Sequence, residues 1–330
     1  MPTDLALPAC GGGPEHGALD HMAEIVPGQE MAWLDWFGCA TFRMRTYGGL
    51  TIWLDAYLDR VPSAEQSGFG VDDVTEADWI LVGHSHFDHL YGAERIAVRT
   101  GAKVIGSYET ARILAEAGVP EEQLVPVSGG ERVKLNRLTA VRVFPSMHSC
   151  TWATDPMPAS DQRCRLTRED DLAWHERQER LRDLWSRLDG LGDEVREHMA
   201  LTDQGARGDG GPLIYIIDTM NGSVLFQDTA GCWTGLLEQE SPTVAILAAA
   251  GRGQHDGDPV DGTLAEFVAE EAAILGCPER VLLCHHDDWL PGFSRRIDVE
   301  PIREALAHRA PRTELVEIGY RSNYPLLIAD

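Results

Sequence analysis

Three imidazoles and a carboxylate crowd into His84-Ser85-His86-Phe87-Asp88-His89, directly after the apolar run Trp79-Ile80-Leu81-Val82. Those residue types at that spacing can hold metal ions. In an extended segment successive side chains alternate faces, so His84 and His86 point the same way and can grip one ion. Asp88 and His89 follow as the chain turns toward a helix-like stretch, which sets them beside the first pair and facing room for a second ion. Zinc takes imidazole nitrogen and carboxylate oxygen in such sites, and a catalytic site leaves one position open for water. A histidine-rich surface loop is the plain alternative, but it explains single histidines better than this spacing.

Further ligand-type residues stand at the ends of other strand-like segments. His148 closes a β-branched run from Leu138 that Pro145 interrupts, and Asp228 follows a hairpin whose Asn221-Gly222 pair is a strong turn signal. His285 and His286 come directly after the apolar segment Arg280-Val-Leu-Leu-Cys284 and before Asp287-Asp288-Trp289. Four strand ends thus deliver donors to one region, the way a rigid sheet holds a metal site. Asp55, Asp287 and Asp288 are of the type that accepts the second N–H of a ligating histidine.

This combination resembles the metallo-β-lactamase fold superfamily, whose signature is HxHxDH followed by a distant His, a bridging Asp and a last His. Within it the chain is similar to the branch of ascorbate-6-phosphate lactonases and N-acylphosphatidylethanolamine phospholipases D, through Trp36-Phe37-Gly38-Cys39-Ala40-Thr41-Phe42, Leu54-Asp55 and His285-His286-Asp287-Asp288-Trp289. The similarity runs from about Met31 to about Ile318. It implies an αββα sandwich of two mixed sheets flanked by helices. It also implies His84, His86 and His148 at one metal, Asp88, His89 and His285 at a second, and Asp228 between them. Relatives carry an aromatic residue at position 286, which favours His285 as the ligand. Cys39 replaces a His found in many of these proteins, so any role of that His is absent.

The activity implied is hydrolysis, with Asp88 and Asp228 as the catalytic carboxylates and two zinc ions as cofactors; manganese or iron would suit the same ligands. Zinc lowers the pKa of a bound water to about 7 and so produces hydroxide at neutral pH. Asp228 where some β-lactamases have Cys argues against a β-lactam substrate, and His86 in place of Glu argues against flavodiiron redox chemistry. A lactone-like cyclic ester or amide is the expected substrate. A phosphodiester or phospholipid is the alternative, and a non-catalytic metal-binding scaffold is the alternative of another class. Arg252, between Gly251 and Gly253, is a candidate clamp for an anionic group, and His255 and His286 are candidate substrate contacts.

Composition agrees with a hydrolase domain from 31 to 330, preceded by an N-terminal arm over 1–30 and interrupted by a helical insertion at about 150–211. With 330 residues, 43% of them hydrophobic, the chain can bury a large core. Twenty-eight basic residues against 53 acidic ones leave a net charge of -25, which repels nucleic acid. Seven cysteines without repeated spacing suggest no disulfide framework and a cytoplasmic location. Neither a signal peptide nor a membrane anchor is expected.

Strands are expected at 32–37, 41–47, 50–54, 79–82, 103–105, 131–135, 138–144, 243–248 and 281–284. Helices are expected at 90–99, 108–117, 263–275 and 300–307. In the insertion, Leu181, Leu184, Trp185 and Leu188 recur at helical spacing after a cap-like Thr167 to Asp170. Such an apolar stripe would serve as a lid over the metals, as a contact between copies of the chain, or as simple packing on the core.

Overall fold

The computed structural model describes residues 31–167, 172–202 and 208–328, so the expected arm over 1–30 and most of the cap after Thr167 lie outside the described residues. Two seven-stranded mixed sheets enclose the main core. The first runs in the order Tyr324–Ile328, Met31–Trp36, Phe42–Arg45, Thr51–Leu54, Trp79–Leu81, Lys103–Gly106, Leu124–Pro126. The second runs Glu314–Leu315, Arg280–Cys284, Val244–Ala248, Gly222–Phe226, Leu213–Thr219, Ala140–Pro145, Arg132–Lys134. A small three-stranded sheet, Gly231–Cys232, Gln254–His255 and Asp258–Pro259, lies beyond them.

The pleat explains why the central strands read as unbroken apolar runs. Ile52, Leu54, Leu81 and Ile105 fall in the core between the sheets, whereas Trp53, Ile80, Val82 and Val104 join a second cluster with Ile96, Ala97, Ile113 and Leu114. Those last four belong to helices Ala93–Thr100 and Tyr108–Glu116, which cover the outer face. Helix Leu264–Ile274 begins with a reciprocal Thr263/Glu266 capping box. The αββα layering expected from the resemblance is what the chain adopts. Among the described residues no helix is long and apolar enough to cross a membrane.

Several boundaries differ from expectation for identifiable reasons. The helix expected at 90–99 is split into Phe87–Leu90 and Ala93–Thr100, because Gly92 turns at φ +114° and a Cβ there would press on Val71 and the Ala56 carbonyl. The hairpin pairs Thr219 with Gly222, which makes Met220-Asn221 its two-residue loop. A last strand not expected from the sequence, Tyr324–Ile328, pairs antiparallel with Met31–Trp36 and closes that edge. Pro325 disguises this strand in the sequence; it is tolerated at a sheet edge, beside a register shift at Ala32/Trp33.

Geometry at the strand ends positions the site. Thr51–Leu54 pairs parallel with Trp79–Leu81, and Gly222–Phe226, Val244–Ala248 and Arg280–Cys284 are likewise parallel, so their C-terminal ends share one edge of each sheet. Asp55, His84, Asp228 and His285 all follow such ends within three residues.

Glu271 is fully buried on helix Leu264–Ile274 beside Gln227 and Cys232, and burial pushes its carboxyl up to about 7. Between the ordinary value of 4.5 and about 7 the folded chain therefore binds a proton that the unfolded chain has lost. Stability attributable to this group falls by about 1.4 kcal/mol per pH unit as pH rises through that window and is level above it. Chemical denaturation of Glu271→Gln should show no gain over the parent near pH 4.5 and a growing gain toward pH 8; a gain independent of pH would contradict this.

Candidate metal centre

His84 and His86 lie on the extended stretch before helix Phe87–Leu90, and His86 occupies that helix's N-cap position. His84 Nε2 and His86 Nδ1 are 3.1 Å apart, and both rings sit 4.7 Å from the ring of His148. The other nitrogen of each ring is engaged outward. His84 Nδ1 meets Asp228 Oδ2 at 2.7 Å, His86 Nε2 meets the Gly208 carbonyl at 2.9 Å, and His148 Nδ1 meets the Ser149 carbonyl at 3.0 Å. Carbonyls and carboxylates accept only, so these nitrogens donate and the inward ones carry lone pairs.

A second set follows the same rule. His89 Nδ1 is 2.7 Å from Asp55 Oδ2, which leaves His89 Nε2 facing His285 Nε2 at 3.1 Å and Asp88 Oδ2 at 3.4 Å. Asp88 Oδ2 and His285 Nε2 are 3.9 Å apart. Asp228 stands between the two sets, its Oδ2 near both His84 and His89, while its buried Oδ1 has no hydrogen-bond partner among the described residues. All seven residues expected as ligands are therefore brought together, in two groups on either side of Asp228. Lone pairs aimed at one another across about 3 Å, with an orphaned carboxylate oxygen between the groups, fit divalent cations.

The protonation states of four of the five rings agree with that fit. Burial pulls His84, His86 and His148 down to about 4 and His285 to about 3, so these rings are neutral at pH 7. Burial works the other way on Asp88 and Asp228, but the charge of neighbouring histidines overcomes it and both carboxyls are held well below the usual range. His89 is raised in spite of its burial, because Asp88, Asp55 and Asp228 surround it.

Backbone conformation aims these groups. Cys39, Asp55 and His285 all have positive φ (48°, 52° and 60°), a left-handed conformation that non-glycine residues rarely adopt. Each is pinned: the Asp55 carboxylate accepts from Gly83 N at 2.8 Å, and His285 N donates to the Cys39 carbonyl at 2.9 Å. Cys39 N donates to Asp287 Oδ1 at 2.9 Å, and Asp287 in turn accepts from Arg60 Nη1 and Tyr320 Oη, both at 2.8 Å. Asp287 thus positions the Cys39 main chain rather than a histidine, and Asp288 accepts from Ser294. The Arg60–Asp287 pair and the placement of Cys39 went unread in the sequence, where the only trace was the Phe37-Gly38-Cys39 turn.

A cavity of about 70 Å³ opens against the cluster, room for a handful of waters. Asp88, His148, Asp228 and His285 line it on one side; Leu181, Leu184, Trp185 and Leu188 of helix Trp174–Leu188 form an apolar wall on the other. Trp185 packs 5.7 Å from the His86 ring, and Tyr57 Oη meets His198 of helix Asp193–Thr202 at 2.8 Å. The apolar stripe of the insertion is thereby covered within the chain itself.

The three expected substrate contacts lie elsewhere, and none lines this cavity. Arg252 is buried with Nη2 donating to the Arg165 carbonyl at 3.1 Å, which turns the guanidinium away. His255 stacks on Phe267 with centroids 4.9 Å apart. His286 stacks on Trp36 at 4.2 Å and faces a separate cleft beside Arg296 and Tyr320, because neighbouring residues after a strand point to opposite sides.

Comparison with known proteins agrees with this picture. Residues 51–170 match the model of the beta-lactamase superfamily domain. The chain is 36% identical over 121 residues to a UPF0173 metal-dependent hydrolase of Myxococcus xanthus, covering 37% of this chain and 40% of that protein. It is 34% identical over 116 residues to a UPF0173 metal-dependent hydrolase of Pyrobaculum arsenaticum, covering 34% of this chain and 49% of that protein. These matches span about half or less of the relatives' length. Among solved structures, Igni18, a metallo hydrolase from Ignicoccus hospitalis, superposes with a TM-score of 0.54 at 17% identity, over 88% of this chain and 96% of that one. CmlA, a diiron beta-hydroxylase from Streptomyces venezuelae, superposes with a TM-score of 0.53 at 16% identity, over 90% of this chain and 54% of that one. The two-sheet fold is thus shared with these solved structures, and residues 51–170 resemble the beta-lactamase superfamily domain.

Gly83 gives a direct test of the site. A Cβ at this position would lie 2.0 Å from Asp228 Oδ2. Gly83→Ala must displace Asp228, and overpacking of this kind costs about 1–3 kcal/mol. Zinc affinity by competition with a chelator should fall roughly tenfold to a hundredfold while circular dichroism stays that of the parent; unchanged affinity would contradict the role of Asp228.

Proposed function

We propose that the protein is a metal-dependent hydrolase of small, uncharged cyclic esters or amides, lactones above all. The carrying observation is the pair of lone-pair clusters opening onto a small cavity with an apolar wall. His84, His86 and His148 would hold one divalent ion, zinc in the first instance, and Asp88, His89 and His285 a second, with Asp228 reaching both. When bound, such ions supply Lewis acidity toward a water molecule and toward the substrate's oxygen.

The residues of the chain do the rest. Asp55 and the Ser149 and Gly208 carbonyls fix the tautomers of His89, His148 and His86, so each ring presents a lone pair inward. Asp88, at the cavity and slightly open to it, accepts the proton that water loses as it attacks the carbonyl carbon and returns it to the leaving oxygen when the ring opens. The side chains of helix Trp174–Leu188 keep bulk water from the reacting centre and pack on the substrate's hydrocarbon part.

Charge favours a neutral substrate over a phosphodiester. No Lys or Arg is among the described residues lining the cavity, and the chain carries a net charge of -25. Phosphate recognition ordinarily uses such cations. A purely scaffolding role would not call for donors that open onto a cavity, since structural metal sites are closed by protein ligands.

The test is a panel of lactones, phosphodiesters and thioesters with zinc-loaded protein. Lactone hydrolysis should dominate, and His86→Ala or Asp88→Ala should lower kcat/KM by roughly a hundredfold or more, beyond the loss typical of a residue that merely orients a ligand. Phosphodiester turnover without lactone turnover would contradict the substrate class, and full activity in either variant would contradict the site.

A further inference from the structure

Cys39 is wholly buried and unbridged, and its sulfur points into the metal cluster. The Sγ atom lies 3.4 Å from His285 Nδ1 and 3.6 Å from His285 Nε2. With Asp88 and His285 it forms a group whose ligand atoms all fall within 4.8 Å of one another. Donors arranged tetrahedrally around zinc, at their ordinary bond lengths of about 2.0–2.3 Å, are separated from each other by roughly 3.3–3.8 Å. The separations found among His89 Nε2, His285 Nε2, Asp88 Oδ2 and Cys39 Sγ are 3.1, 3.4, 3.6 and 3.9 Å for the pairs His89–His285, His89–Asp88, His285–Cys39 and His285–Asp88.

The main chain around this thiol is built to hold it there. Cys39 keeps a φ of 48°, a conformation that costs about 1–3 kcal/mol at a non-glycine residue. Its N–H is held by Asp287, its carbonyl by His285 N, and Asp287 is clamped by the buried Arg60 guanidinium. The two left-handed residues at the second position, Cys39 and His285, are therefore stitched to each other across the strand ends.

We propose that Cys39, as a thiolate, is a further protein ligand of the second metal position, beside Asp88, His89, His285 and the shared Asp228. This rests on the metal-centre reading above. The thiol proton leaves to solvent on loading. A thiolate there makes the second position favour zinc over manganese, which prefers oxygen donors.

X-ray absorption at the zinc edge tests this on the intact chain loaded with two equivalents of zinc. The expected result is a sulfur contribution of one atom per two zincs at about 2.3 Å, kept in Cys232→Ala and Cys284→Ala and lost in Cys39→Ser. Zinc bound with nitrogen and oxygen neighbours alone would overturn this proposal and leave the metal centre standing. Loss of the sulfur signal in Cys232→Ala or Cys284→Ala, or its retention in Cys39→Ser, would also overturn it. A parent protein that takes up no zinc would overturn both readings. Should Cys39→Ser fail to fold, the parent spectrum together with the two control variants still decides.

Discussion

Five buried imidazoles face one another, three of them (His84, His86 and His148) with a lone pair turned inward, and that opposition is what the rest of the fold is arranged to sustain. In an apolar interior, unpaired acceptors at about 3 Å repel and have lost their water, a cost of several kcal/mol for each polar group. At His84, His86 and His148 the chain does not relieve this by letting the histidines donate inward. Instead Asp55, Asp228 and the carbonyls of Ser149 and Gly208 take up the outward N–H groups and fix the strained arrangement. Divalent cations are the simplest partners that turn such repulsion into attraction, so metal binding and local stability are coupled at this site.

Holding those rings at bonding distance requires precision that the sheets alone do not provide. Parallel strands bring Asp55, His84, Asp228 and His285 to one edge, and the final aim then comes from left-handed backbone at Cys39, Asp55 and His285. Buried charge keeps those conformations in place: Arg60 neutralises Asp287, and Asp287 holds the Cys39 main chain. Gly83, lacking a Cβ, leaves the space that the Asp228 carboxylate occupies. The insertion adds a different element, since its Gly208 carbonyl orients His86 while its first helix walls the cavity with Leu and Trp side chains. One segment thus touches both the histidine cluster and the cavity beside it.

Much of the buried His/Asp cluster was legible because its signals are local. His84, His86, Asp88 and His89 sit in one turn after an apolar strand, and His148, Asp228 and His285 each follow a β-branched or apolar run. The strands themselves were readable from those runs, to within a residue or two. Other features depend on contacts between distant segments. Arg252 turns toward the Arg165 carbonyl, a partner supplied by the insertion, so its flanking glycines were misleading. Cys39 stands alone in sequence, and only the folded chain sets it beside His285. The last strand was hidden by Pro325, and the break at Gly92 arises from crowding by Val71 and Ala56. His286 was half legible, since a strand that aims His285 inward must send its neighbour to the opposite side.

Anomalous diffraction from crystals of the zinc-loaded protein, collected across the zinc edge, addresses the central claim most directly. Two peaks are predicted, one among His84, His86 and His148 and one among Asp88, His89 and His285, with Asp228 between them. A map without peaks in the cluster, or with zinc only at surface carboxylates, would contradict the account.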